Sequence, residues 1–206
     1  MSASSFALIA HELKNALASL ESELEAMIDD PTPIQAHSAH AHCATLRRQF
    51  VQFLTVYGSE GGLHAHAEDE SPVDLLSALQ RQSALRRLKG ETTVDVVWQP
   101  PADAPPFWFF DRRLVQLALE AALHNAMRFA RQRVVMGLRE EDGMLVVSLD
   151  DDGPGLDAED TNPASTGLGT RLCEAVASAH RHGAREGRVR LFDRPEGGAR
   201  FELWLP

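Results

Sequence analysis

His11 stands in the stretch AHELKNAL, residues 10 to 17, with Glu12, Lys14 and Asn15 beside it. An imidazole in such company can act as a nucleophile or a ligand, and a neighbouring carboxylate can hold a proton on its far ring nitrogen. Direction decides between these roles. Ile9, Leu13, Leu17, Leu20 and Leu24 recur at threes and fours, and at about 100° per residue His11 lies roughly 160° from their mean direction. The spacing predicts an outward imidazole flanked by Asn15, Ala18 and Ser22, not a core histidine.

Three further stretches carry chemistry. In LDDDGPGL, residues 149 to 156, an aspartate ends a strand ahead of Gly153 and Gly155, so a carboxylate is fixed where backbone can approach a ligand. It can accept a hydrogen bond from an exocyclic amine. In STGLGTRLCEAVASAH, Gly167 and Gly169 sit at the mouth of a helix, where unpaired N–H groups form a phosphate cradle. In HNAMRF, residues 124 to 129, the Asn125 amide oxygen is a hard ligand suited to Mg²⁺, Arg128 can reach a phosphate oxygen and Phe129 can flank a base. Each stretch alone also fits an ordinary loop or helix.

The elements that must position these residues fall into two regions. Residues 1–58 read as a helical hairpin, with periodic stripes from Phe6 to Ile28 and from Ile34 to Tyr57, broken at DDPTP and stopped at Gly58. Two helices cannot cover their own seam, so the hairpin is expected to pair with a second copy as a four-helix bundle, making a homodimer. Residues 59–70 are polar, acidic and glycine-bearing and read as a linker.

From 71 to 206 the pattern is mixed: a helix after Pro72, a strand at TTVDVVW, the segment PFWFF, and a helix from Asp111 with that residue as N-cap. Two strands follow around an Asp142-Gly143 turn, then a helix from about Gly167 to His182, then RVRLFD and ARFELWLP joined at RPEGG. This order implies an α/β sandwich with one sheet. The fold class expected is α+β, a helical hairpin followed by that sandwich.

Composition excludes several functions. A formal charge of −10 argues against a nucleic-acid partner, which calls for a basic face. Cys43 and Cys173 lack metal-type spacing and imply no disulfide framework, which fits a reducing compartment. No apolar run approaches the ~20 residues of a membrane span, and no signal peptide opens the chain, so a cytoplasmic protein without membrane insertion is expected.

Taken together and in order, the four stretches resemble the boxes of two-component sensor histidine kinases: HELKNAL the H-box, HNAMRF the end of the N-box, DDGPGL and STGLGT the two glycine boxes. The resemblance covers essentially the whole chain. It implies a dimerisation and phosphotransfer domain followed by a Bergerat-type ATP-binding sandwich, a mixed sheet with helices on one face, of the kind shared with gyrase-type ATPases and heat-shock chaperones. It also implies roles: His11 as phosphoacceptor, Glu12 holding the proton of the far ring nitrogen, and Asn15 orienting water for dephosphorylation of a response regulator. Asn125 would bind Mg²⁺, with Arg128 and Phe129 beside it. Asp151 would bind the adenine amine of ATP, and Gly153, Gly155, Gly167 and Gly169 would shape the adenine and phosphate cradles.

Too few residues precede His11 to hold a sensor, so input is expected from another protein, or the chain is a segment of a longer one. Ala121 replaces a polar residue the family often carries one turn before Asn125, and only DAEDTNPA separates the glycine boxes. Those departures favour the rival reading, a phosphorelay histidine phosphotransferase that binds no ATP. His37, His40 and His42 on the second helix and His64 and His66 in the linker read as exposed polar residues, although His37 and His40 could share a face for a metal or a pH sensor. Cys173 reads as a small core residue.

Overall fold

The computed structural model describes residues 3–29, 31–58, 62–156 and 167–206, and the chain divides into two compact units. The first is built on the hairpin of α1, Ala3–Asp29, and α2, Pro33–Tyr57. Thr32 starts α2 with a capping box: its hydroxyl accepts from the Gln35 N–H, and Gln35 Oε1 accepts from the Thr32 N–H. Pro33 follows in the first turn, where its missing N–H costs nothing.

Ile9, Leu13, Leu20, Ala39 and Leu46 are buried along the seam, with Ala16, Met27, Phe53 and Tyr57 packed against them. At the open end Phe6, Phe53 and Tyr57 cluster with ring centroids 5.1, 5.8 and 5.3 Å apart. His42 Nδ1 lies 2.9 Å from Glu23 Oε1, joining the two helices. Leu17 and Leu24 depart from the expected stripe: they are 44% and 49% exposed, and Ala16 contributes to the seam instead. Two helices bury a sector narrower than the apolar surface the sequence supplies.

The second unit carries α3, Pro72–Leu88, α4, Arg112–Phe129, and most of α5, Leu168–Ala179. Its strands are β1, Glu68–Glu70, β2, Asp95–Trp98, β3, Trp108–Phe110, β4, Arg133–Glu141, β5, Met144–Asp151, β6, Arg181–His182, β7, Arg185–Glu186, β8, Arg188–Asp193, and β9, Ala199–Leu205. The main sheet has order β2-β4-β5-β9-β8; β2 runs parallel to β4 and the other pairs are antiparallel. This is an α+β fold. Asp142 and Gly143 turn β4 into β5 at φ 53° and 68°, the two positive values that a tight hairpin turn of the expected kind requires.

Registers assign the faces of the sheet, because directly paired residues share one. Met136, Leu149 and Phe201 lie on one face with Leu138, Val147 and Leu203. Val146 and Trp204 pair on the other, where buried Glu202 accepts from Arg139 Nη2 and Trp204 Nε1, each at 3.0 Å.

Three features differ from the sequence expectation. Besides the main sheet there are two small ribbons, β1 with β3 and β6 with β7, so the sandwich does not have a single sheet. The stretch read as linker is not featureless, since its last residues are β1, pairing with the PFWFF segment. And α5 stops at Ala179, short of His182, because His180 turns inward.

His180 is 3% exposed and joins three pieces of chain. Its Nε2 accepts from the Asp111 N–H at 3.0 Å, which leaves the proton on Nδ1 to donate to Val176 O at 2.7 Å. Asp111 in turn caps α4 through Leu114 N and holds the His66 N–H, both at 3.0 Å. Burial lowers the His180 pKa below the ordinary value, against the opposing pull of Val176 O and the Asp111 charge.

The neutral ring is therefore worth most above the unfolded value of ~6.5, and stability is lost as pH falls below it, where the unfolded chain takes up a proton that the folded one resists. His180→Phe should cost about 1–3 kcal/mol at neutral pH by orphaning the Asp111 N–H. Urea unfolding between about pH 7.5 and about pH 5.5 should show a steeper loss for the natural chain than for the variant; parallel slopes would refute the assignment.

Candidate functional site

Strand alternation puts Asp151 on the apolar face, in line with Leu149 and Val147, and in register with Val134 of β4. A carboxylate at the end of such a row loses hydration and must recover donors. It is 5% exposed, and its Oδ1 accepts from Gly153 N at 2.8 Å and Ala199 N at 3.2 Å. Among the described residues no donor is placed on Oδ2. The group is a fixed acceptor with one oxygen to offer, the arrangement that an exocyclic amine would satisfy.

The two glycines that follow Asp151 in the turn are there for closeness. A Cβ on Gly153 would stand 2.5 Å from Phe129 O and 2.8 Å from Asp151 Oδ1. The end of α4 and the turn after β5 therefore touch through backbone, which brings Phe129 and Asp151 to one place. Gly155 has φ +95° and its added Cβ would meet Asp193 Oδ1 at 2.6 Å. Gly167, φ +65°, stands just before α5 with open space where a Cβ would be, and Gly169 lies in the first turn of that helix.

Asn125 is half-buried on α4, and one turn on Arg128 lies over the Phe129 ring at 4.5 Å. Ala121, where the resemblance leads one to expect a polar residue, is buried at 3% and serves the helix core. Glu120 accepts from Gln116 Nε2 at 2.9 Å. His11 and Asn15, on the hairpin unit, are exposed and Glu12 is half-buried, while Ile9 and Leu13 on either side are buried. The outward imidazole expected from the helix geometry is what α1 presents.

Sequence reasoning missed a second tier of residues. Asp152 accepts from the N–H groups of Arg131 at 2.8 Å, Gln132 at 3.1 Å and Arg133 at 3.2 Å, fixing the loop from α4 into β4. Desolvation acts to raise its pKa, but these backbone donors outweigh it and hold the carboxyl below the ordinary value. Asp150 takes Arg200 in a two-pronged pair at 2.6 and 2.5 Å. Three consecutive aspartates thus do three different jobs. Alternation of the strand was the available signal, since it sends Asp150 and Asp151 to opposite faces.

Residues 110–206 match the family of histidine kinase-, DNA gyrase B- and HSP90-like ATPases. The sensor protein kinase CarS of Pseudomonas aeruginosa is 32% identical over 212 residues, covering 96% of this chain and 45% of that protein. The chain spans under half the length of the curated relatives it matches. Among solved structures, the histidine kinase AdeS of Acinetobacter baumannii superposes with TM-score 0.71 at 17% identity, covering 95% of this chain and 96% of that one. The histidine kinase ThkA, solved in complex with the response regulator protein TrrA, gives 0.69 at 18% identity over 97% of this chain and 60% of that one. At such identities the likeness is one of fold.

Gly153→Ala should cost about 1–3 kcal/mol, because backbone and carboxylate rather than flexible side chain stand in the way of the methyl. Thermal unfolding measures it; an unchanged midpoint would mean that the contact between α4 and the turn is not needed.

Proposed function

We propose that the chain is the catalytic core of a histidine kinase, which phosphorylates His11 from ATP and passes the phosphoryl group to an aspartate of a response regulator. The observation that carries this reading is Asp151: a buried carboxylate locked through Oδ1 with Oδ2 left for a ligand, among glycines that let backbone come close. Such a site suits an adenine amine. Bound there, ATP would supply the phosphoryl group.

The chain's own residues then take these roles in the proposal. His11 is the nucleophile, exposed on α1 and not sequestered in the seam. Glu12 holds the proton on the far nitrogen, so that the attacking one keeps its lone pair. Asn15, one turn on, orients water for hydrolysis of the regulator's aspartyl phosphate, which releases inorganic phosphate. Asn125 offers its amide oxygen to Mg²⁺, and Gly167 and Gly169, at the start of α5, let phosphate oxygens approach the backbone closely. Catalysis of this kind is mainly positioning and charge neutralisation.

Ala121 and the short stretch between the glycine boxes had favoured an ATP-independent phosphotransferase. That alternative is not favoured: the Asp151 constellation is intact, and the relatives are named sensor kinases. A homodimer through the hairpin is part of the proposal, supported by Leu17, Leu24, Ile28, Ile34, Phe50, Val51 and Leu54, all exposed on α1 and α2. The reducing cytoplasm is the proposed compartment, consistent with free Cys43 and Cys173. Among the described residues no helix is long and apolar enough to cross a membrane. Input from a separate sensor or a further segment completes the scheme.

Radiolabelled Mg-ATP should label the natural chain and leave His11→Ala unlabelled, while Asp151→Asn should weaken nucleotide binding by calorimetry about tenfold or more. No binding heat, with His11 still labelled from a phosphorylated regulator, would hand the reading to the phosphotransferase. In sedimentation the natural chain should run as a dimer and Leu54→Glu as a monomer; a monomeric natural chain would remove the bundle.

A further inference from the structure

The carboxylate of Asp151 is held from a direction that its own loop does not supply. Pairing between β5 and β9 ends at Asp150 with Arg200, so beyond it the Asp151 carbonyl faces chain that has already left the strand. What stands there is the turn of the β8–β9 hairpin, tightened by Arg194 N donating to Gly198 O at 2.9 Å and Gly197 N to Arg194 O at 3.0 Å. Gly197 and Gly198, at φ +93° and +82°, let it fold close, and a Cβ on Gly198 would strike the Asp151 carbonyl oxygen.

Three hydrogen bonds run from this turn to the glycine box. Ala199 N reaches Asp151 Oδ1 at 3.2 Å, Arg194 Nη1 reaches Asp151 O at 3.0 Å, and Asp193 Oδ1 accepts from Leu156 N at 2.8 Å. Arg194 makes its hydrogen bond to that carbonyl and only longer ion-pair contacts to its acidic neighbours. Its distances to Asp150 Oδ2 and Glu196 Oε2 are both 3.7 Å, too long for a hydrogen bond, its Nε is buried without a hydrogen-bond partner, and Asp150 is already held by Arg200.

We propose that the β8–β9 turn is a clamp on the nucleotide-binding carboxylate, with Arg194 as its positioning residue: by fixing the Asp151 backbone it keeps Oδ2 directed at the exocyclic amine. The inference rests on the ATP-binding reading above and adds to it a determinant of base selectivity outside the family's boxes. Arg194 touches no nucleotide in this account. It acts through Asp151.

The test compares two ligands by calorimetry on the full chain: ATP, and purine riboside triphosphate, which lacks the amine. Arg194→Gln should weaken ATP about tenfold, the value of one charge-assisted hydrogen bond, and leave the amine-free analogue within about twofold, so that discrimination collapses. Arg194→Lys, which retains an N–H donor, should recover part of the discrimination and also serves if the glutamine variant fails to fold. Equal weakening of both ligands, or unchanged discrimination in both variants, overturns the clamp: the first result is that of a merely structural residue. If the natural chain binds ATP without preferring it over the analogue, the clamp falls while nucleotide binding stands. If it binds neither ligand, the ATP-binding reading itself falls and takes the clamp with it.

Discussion

A charge at the end of an apolar strand is the constraint around which the sheet-bearing unit is arranged. Asp151 follows Leu145, Val147 and Leu149 on the buried face of β5, and a carboxylate there is tolerable only if protein donors replace the water it gives up. Backbone N–H groups from Gly153 and Ala199 do so on one oxygen. Because both donors are main chain, they cannot swing away; the loop after β5 and the start of β9 must sit where they do. Glycines at 153, 155 and 198 are what permits that crowding.

The same device recurs wherever elements meet in this unit. Asp152 gathers the N–H groups after α4, Asp111 caps α4 and holds the chain at His66, and His180 accepts from the Asp111 N–H while giving its own proton to α5. Each buried polar side chain is used at a boundary where helix or strand geometry leaves main-chain groups without partners. Apolar packing between the sheet and its helices gives the unit its cohesion. These few polar contacts determine which end of each element meets which, and hence where the site forms.

Much of this was legible in the residues themselves. The cap at Asp111, the Asp142-Gly143 turn and the outward direction of His11 follow from local rules, because each depends on residues close in sequence. What escaped depends on partners far away along the chain. Nothing near Arg194 announces that its guanidinium meets a carbonyl 43 positions earlier, and nothing near His180 announces its bond to an N–H 69 positions away. The ribbon of β1 with β3 was hidden for another reason: Glu68, Asp69 and Glu70 have the composition of a linker, and only pairing with Trp108–Phe110 makes them a strand. Distinguishing Asp150, Asp151 and Asp152 was within reach, since alternation alone separates the first two.

The hairpin poses a different problem, how one helix can serve three environments. At about 100° per residue, Ile9, Leu13 and Leu20 centre about 180° from His11, whereas Leu17, Leu24 and Ile28 centre about 240° from it, or about 120° by the shorter way round. The first set is buried against α2; the second is exposed on the hairpin taken by itself. Between them they use roughly half the circumference and leave the remainder to His11, Asn15, Ala18 and Ser22. A histidine inside either apolar sector would have its ring buried by α2 or by the proposed second copy. Under the proposed function, only the third sector would keep the ring open to a phosphoryl donor and then to a visiting acceptor, so the width of the two apolar stripes would dictate where on α1 a transferable group could be carried.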